Sequence, residues 1–209
     1  MKKYGLILII LFFLYSQSFA ADFSHFRRLG ARFGLWNGTE IEKKKTSPTF
    51  EILIIEGMRK GISLEFSFGV ISRGETRIDI PETGEYYWES VNIYPISGSG
   101  VYHFFSGKEQ NILFPYLKAG ASLVIGTRVI ETGLLSPLNP LYWDSGTKTE
   151  VTFGLLGGVG LDLKLSRSLV GNFDTKYRFI KFGDEIGQNK DYSGIEFGLG
   201  ISYIWGIKK

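Results

Sequence analysis

The chain contains no cysteine. Disulfides, thiolate metal sites, cysteine nucleophiles and a lipidated N-terminal cysteine are therefore excluded. Histidine is almost as scarce, with only His25 and His103. Two histidines so far apart do not make a metal site. Beyond residue 20 there is no run of 18 apolar residues, so no transmembrane helix is expected. An excess of one charge is also missing: 24 Lys and Arg face 21 Asp and Glu, for a formal net charge of +3. That balance excludes the basic footprint of a nucleic-acid-binding protein. The glycines within 154–160 do not follow the GxxxxGK[ST] pattern and lie in an alternating segment, so they are not a phosphate loop.

Glycine and aromatic residues are plentiful, at 27 glycines and 15% Phe, Trp and Tyr. Both suit barrels, where glycine eases curvature and aromatic rings form interface girdles. Residues 1–20 read as a secretory signal peptide. Lys2 and Lys3 give the positive start, 6–15 the apolar stretch, and Ser18-Phe19-Ala20 the small-x-small cleavage site. Residues 21–209 then form one domain.

The strongest signal in that domain is a period of two residues. Ile195, Phe197, Leu199, Ile201, Tyr203 and Trp205 alternate with Glu196, Gly198, Gly200, Ser202 and Ile204. Such a segment is a strand with one apolar face, and its length meets the nine to eleven residues a tilted strand needs to cross a bilayer. Seven further strands are predicted, over about 28–36, 49–56, 61–71, 87–105, 114–128, 151–164 and 169–182. In 49–56 the run Ile52-Leu53-Ile54-Ile55 weakens the alternation. In 87–105, Pro95 interrupts it, and a bulge or kink is expected there.

The connections alternate in length. Those at 37–48, 72–86, 129–150 and 183–192 are long, and those at 57–60, 106–111 and 165–168 are short. Short periplasmic turns and long outer loops are the mark of an up-and-down outer-membrane barrel. The fold class is therefore all-β: an eight-stranded antiparallel up-and-down transmembrane β-barrel preceded by a cleaved signal peptide. A soluble lipocalin-like barrel or β-sandwich is the rival. A lipocalin-type barrel would show the same alternation with its apolar residues inside.

On the barrel reading, one face collects Arg28, Arg32, Lys118, Lys176 and Arg178 against Glu51, Glu65, Asp162, Asp174 and Glu196. Eight strands leave a bore that side chains fill. Charges confined there must pair, so a closed lumen plugged by ion pairs is expected.

Three stretches carry a family resemblance: Pro115-Tyr116-Leu117-Lys118-Ala119-Gly120-Ala121, Tyr177-Arg178-Phe179, and Gly200 followed by Tyr203 and Trp205. With the order and spacing of all eight strands, they resemble the small outer-membrane barrels of Gram-negative bacteria, the OmpA/OmpX type. Lys118 stands where many members keep a small residue, and Gly206-Ile207-Lys208-Lys209 follow Trp205 where members often end on Phe. The resemblance implies an integral protein of the cell outer membrane, surrounded by outer-membrane lipid and lipopolysaccharide. It also implies periplasmic chaperones and the barrel assembly machinery as partners during biogenesis, and a monomer.

The expected role is structural or adhesive, exerted through extracellular loops on a closed body. The alternative is transport of small or hydrophobic solutes. A lipid A-modifying enzyme ranks below both. Its only strand-borne base would be His103, with Ser97, Ser99 and Ser106 nearby in sequence, and no spacing fixes a nucleophile–base geometry. The plainer reading of His103 is an interface histidine among girdle aromatics. Catalytic, cofactor-binding and metal residues are each expected to be none. Lys43-Lys44-Lys45 could meet lipopolysaccharide phosphates but read first as a solvated loop. Trp205 suits an interface belt and Trp143 a loop.

Overall fold

The structure is a computed structural model that describes residues 27–38, 46–57, 61–80, 85–104, 112–132, 145–187 and 189–205. The proposed signal peptide, Lys43-Lys44-Lys45, Ser106, Trp143 and residues 206–209 lie outside that set. The chain forms β1 (Arg27–Gly38), β2 (Thr46–Gly57), β3 (Ile62–Ile80), β4 (Glu85–His103), β5 (Leu113–Thr132), β6 (Ser145–Lys164), β7 (Leu169–Ile186), a short β8 (Asn189–Asp191) and β9 (Gly194–Trp205). Each of β1 to β7 pairs antiparallel with the next, and β9 pairs with both β7 and β1. Eight strands thus close a ring, with β8 as the return arm of a hairpin on β7. Closure satisfies the wall's backbone groups from strand to strand, which a lipid-spanning sheet requires.

Alternation decides the faces. Leu29, Phe33 and Leu35 of β1 point outward and are exposed, whereas Arg28 and Arg32 on the alternate positions are buried. In β9, Leu199 is 66% exposed and Glu196 1%. A body that buries its charges and exposes its largest apolar side chains is inverted relative to a water-soluble protein. It is stable only in an apolar surround. The lipocalin-like alternative, which needs the apolar set inside, does not hold. Tyr102, Tyr203 and Trp205 are exposed at the short-turn end, where an aromatic belt meets the headgroups. No helix among the described residues is long and apolar enough to cross a membrane; strands do the crossing.

The ambiguous run in β2 resolves cleanly. Ile52 and Ile54 are exposed outward, and Leu53 and Ile55 are buried in the lumen. The bulge expected at Pro95 is absent. Pairing with β5 runs unbroken through Tyr94↔Ile125, Pro95↔Val124 and Ile96↔Leu123. The register with β3 is the same on both sides, at Phe68↔Ile96 and Ile71↔Ile93. Proline removes a donor there without shifting the register. The irregularity lies instead in β3, between Ser72 and Glu75, where Gly74 adopts φ +71. Glycine supplies that left-handed conformation at no steric cost.

The largest departure from the sequence reading is strand length. β3, β4, β5 and β6 run 19 or 20 residues, against 12 for β1, β2 and β9. Of the loops expected at 72–86 and 129–150, residues 72–80, 85–86, 129–132 and 145–150 are strand. These segments lie on the long-connection side, and in β6 residues 146–149 are exposed at four successive positions, without apolar alternation.

Candidate functional site

Glycines and short side chains on the inner faces of β6 and β9 leave room for the long cations of β1, β5 and β7. At Gly198 a Cβ would lie 2.6 Å from Arg32 Cδ and 2.7 Å from Asp174 Oδ1. Arg32 is thereby held at the centre. Its Nη1 lies 3.0 Å from Glu51 Oε2 and 3.2 Å from Asp174 Oδ2, Nη2 lies 3.4 Å from Glu65 Oε2, and Nε donates to Asn172 Oδ1 at 3.3 Å. Lys118 bridges Glu65 and Asp174. Lys176 pairs with Glu51, and with Glu196 at 3.0 Å. Arg178 pairs with the same two carboxylates and donates to Ser97 Oγ at 3.1 Å.

All ten charges expected inside are buried, and each has a partner of opposite sign. Desolvating so many ions is tolerable only because every carboxylate meets one or more cations and further hydrogen bonds fill the gaps. Thr49 donates to Glu196 at 3.2 Å, and the hydroxyls of Ser97 and Ser122 lie 2.9 Å apart.

The inner mouth has its own cluster. Arg28 Nη1 lies 2.6 Å from Asp162 Oδ2, and His103 Nε2 lies 3.1 Å from the same oxygen. A polar cavity beside them, lined by Ser63, Tyr116 and Asn172 among others, is about the size of one water. That is too small to pass a solute.

Towards the long-connection end the lumen changes character. Trp36, Ile71, Val91, Ile93, Val124 and Ile180 of the wall pack with Phe182, Ile186 and Tyr192 of the β7–β8 hairpin, and all are buried. Above this layer Glu89 and Arg128 form an ion pair. The lumen therefore has two plugs in series, one ionic and one apolar.

No family model matches the sequence, and no curated protein matches it. Solved structures do match the architecture. Neisserial surface protein A is 13% identical, with a TM-score of 0.53 over 86% of this chain and 96% of that one. Ail, the attachment invasion locus protein of Yersinia pestis, solved in complex with the heparin analogue sucrose octasulfate, is 12% identical, with a TM-score of 0.51 over 87% and 97%. A major outer membrane protein from Thermus thermophilus is 12% identical, with a TM-score of 0.60 over 87% and 100%. The fold is that of a small outer-membrane barrel.

On this outer-membrane barrel, His103 is not an interface histidine. It points into the lumen, 8% exposed, and packs against Tyr116 with ring centroids 5.4 Å apart. Residue parity explains this: His103 shares a face with Ser97 and Ser99, whereas Tyr102 takes the lipid side. Neither serine bonds to His103. Ser97 meets Ser122 and Arg178, and Ser99 donates to the Glu65 carbonyl at 3.5 Å. Among the described residues no cluster of His, Asp and Glu could hold a metal ion; the lumen carboxylates are taken by Arg, Lys and His.

Trp36 ends the first predicted strand and lies on its inner face. It is 2% exposed in the apolar plug. The parity of Arg28, Arg32 and Trp36 is the signal that places it.

Proposed function

We propose that this integral barrel works in the outer membrane as a surface-interaction protein: a sealed body that presents a β-sheet platform and its connecting segments to partners outside the cell. The observation that carries this reading is the uneven wall. Among the described residues the β1–β2 ladder ends at Asn37↔Thr46, and the β7–β9 ladder at Arg178↔Gly194. The ladders between β3 and β6 continue to Ile80↔Glu85, Tyr87↔Thr132 and Glu131↔Ser145. Strands of 19 and 20 residues exceed what a bilayer crossing requires by about nine residues, which at roughly 3.3 Å each is about 30 Å of strand. A transporter sealed at two levels has no use for such a rise, whereas a binding platform does.

Ail, described as an attachment and invasion protein, has the same architecture, which lends the reading an example. The surroundings that go with it are outer-membrane lipid and lipopolysaccharide, with the chain as a monomer.

The test compares the full barrel with a variant whose β3–β4 and β5–β6 hairpins are shortened to the height of β2, both displayed on a Gram-negative host. Binding of cells to an epithelial monolayer is expected for the full barrel and not for the shortened one, with both folded as judged by gel mobility. Equal binding by the two overturns the platform reading.

A further inference from the structure

The seam between β6 and β7 is incomplete. The two strands pair from Lys164↔Val170 to Gly154↔Ile180 and no further, although β6 continues to Ser145. Beyond the last pair, two side chains span the gap. Thr152 Oγ1 donates to the Lys181 carbonyl at 2.7 Å, and Lys148 Nζ to the Glu185 carbonyl at 3.1 Å. There β7 leaves the wall, and the β7–β8 hairpin turns over the mouth. The hairpin's own ladder is two pairs, Lys181↔Asp191 and Ile186↔Asn189, with a register shift between them.

This weakly laddered hairpin delivers a stopper. Ile186 is fully buried and fits a recess in the β5 wall, where a Cβ on Gly126 would lie 2.4 Å from Ile186 Cδ1. The recess is walled by Ile71, Val91, Ile93, Val124 and the Trp36 indole. At its outer side stand the Glu89–Arg128 pair and Arg73, whose guanidinium lies 5.2 Å from the centre of the Tyr192 ring. On the outer face the ladder ends beside the Leu155↔Phe179 pair and Phe153, which is 80% exposed. Apolar side chains thus stand on both sides of the incomplete seam, Phe153 outside and, within, a layer whose present occupant at the β5 recess is a branched aliphatic side chain.

We propose that this outer chamber is a binding site for one alkyl chain of a membrane amphiphile, admitted between β6 and β7 when the β7–β8 hairpin withdraws Ile186. These apolar walls take a hydrocarbon chain in place of the isoleucine, with loss and gain of similar apolar contact. The headgroup stays at the rim, beside Glu89 and Arg128. The proposal does not depend on the surface-interaction reading.

Trp36 reports directly on the chamber. A variant keeping only that tryptophan (Trp88→Phe, Trp143→Phe, Trp205→Phe) and carrying Gly126→Cys with Ile186→Cys gives a lockable hairpin in a chain that otherwise has no thiol. The probe is a maltoside detergent with a brominated dodecyl chain. Severalfold stronger quenching of Trp36 in the reduced than in the oxidised protein is expected. Equal quenching in the two states overturns the proposal and makes the chamber a permanently dry core. If the disulfide does not form, the Trp36-only protein is compared with its Ile186→Ala derivative. Severalfold stronger quenching on loss of the stopper supports the site, and unchanged quenching overturns it.

Discussion

Arg178 Nε lies 2.8 Å from Glu196 Oε2, joining β7 to β9 across the lumen face of the wall. Both side chains are buried, and Glu196 also holds Lys176 at 3.0 Å. Removing this carboxylate leaves Lys176 and Arg178 to share Glu51 with Arg32. Glu196→Ala is therefore expected to destabilise the barrel by about 3–5 kcal/mol, the usual penalty for stranding a buried charge. Urea unfolding in phospholipid vesicles measures it. A loss below about 1 kcal/mol would mean that water reaches the network.

The two faces of β9 are expected to respond oppositely to substitution. Leu199 is 66% exposed near the middle of a strand running from Gly194 to Trp205. Leu199→Arg places a guanidinium in hydrocarbon and is expected to cost about 2–4 kcal/mol. Ser202 is buried inside, and its hydroxyl makes one long bond, 3.4 Å, to the Val170 carbonyl. Ser202→Ala is expected to cost about 1 kcal/mol or less. The same vesicle unfolding assay compares them, and equal costs would mean the facing is wrong.

Two plugs in series imply an electrically silent barrel. Purified protein in planar bilayers is expected to show no large, stable open-channel current. Arg32→Ala removes the side chain that touches Glu51, Glu65, Asp174 and Asn172, yet the apolar layer of Trp36, Ile71 and Ile186 remains above it. The variant is expected to stay closed. Frequent large openings in Arg32→Ala would show that the apolar layer does not seal.

Gly74 provides a backbone test. A Cβ there would meet nothing within 4 Å, but its φ is +71. Gly74→Ala is thus expected to cost about 1 kcal/mol through backbone strain alone. The folded barrel should still migrate apart from its boiled form in SDS gels. Loss of that mobility difference in Gly74→Ala would mean that the bulge is required for closure.

The membrane-facing half of this structure is written plainly in the sequence. Lipid demands an apolar residue at every second position, so Leu29 to Leu35 and Ile195 to Trp205 declare their faces. The lumen charges follow by parity, and their balance is legible because an unpaired ion in a narrow bore is costly. Two features escape. In β6 the residues 146–149 are exposed at every position, so Thr147, Lys148 and Thr149 look like a loop although they pair with Val129, Arg128 and Thr127. The apolar plug escapes because Ile71, Ile93 and Phe182 sit on the inner parity with no alternation to mark them, and its stopper, Ile186, lies in a segment that reads as a connection. Tertiary contact, not local pattern, places these residues.

The distribution of lumen charge along the chain bears on how the protein reaches its bilayer. β1 and β2 carry Arg28 and Arg32 against Glu51, while Glu65 on β3 is the acid that restores neutrality to that half; Asp162, the partner of Arg28, arrives only with β6. A leading hairpin threaded alone through hydrocarbon would drag a naked guanidinium with it. Strand-by-strand entry is therefore disfavoured, and the ring is expected to zip shut as it crosses, in one concerted event without a half-inserted species.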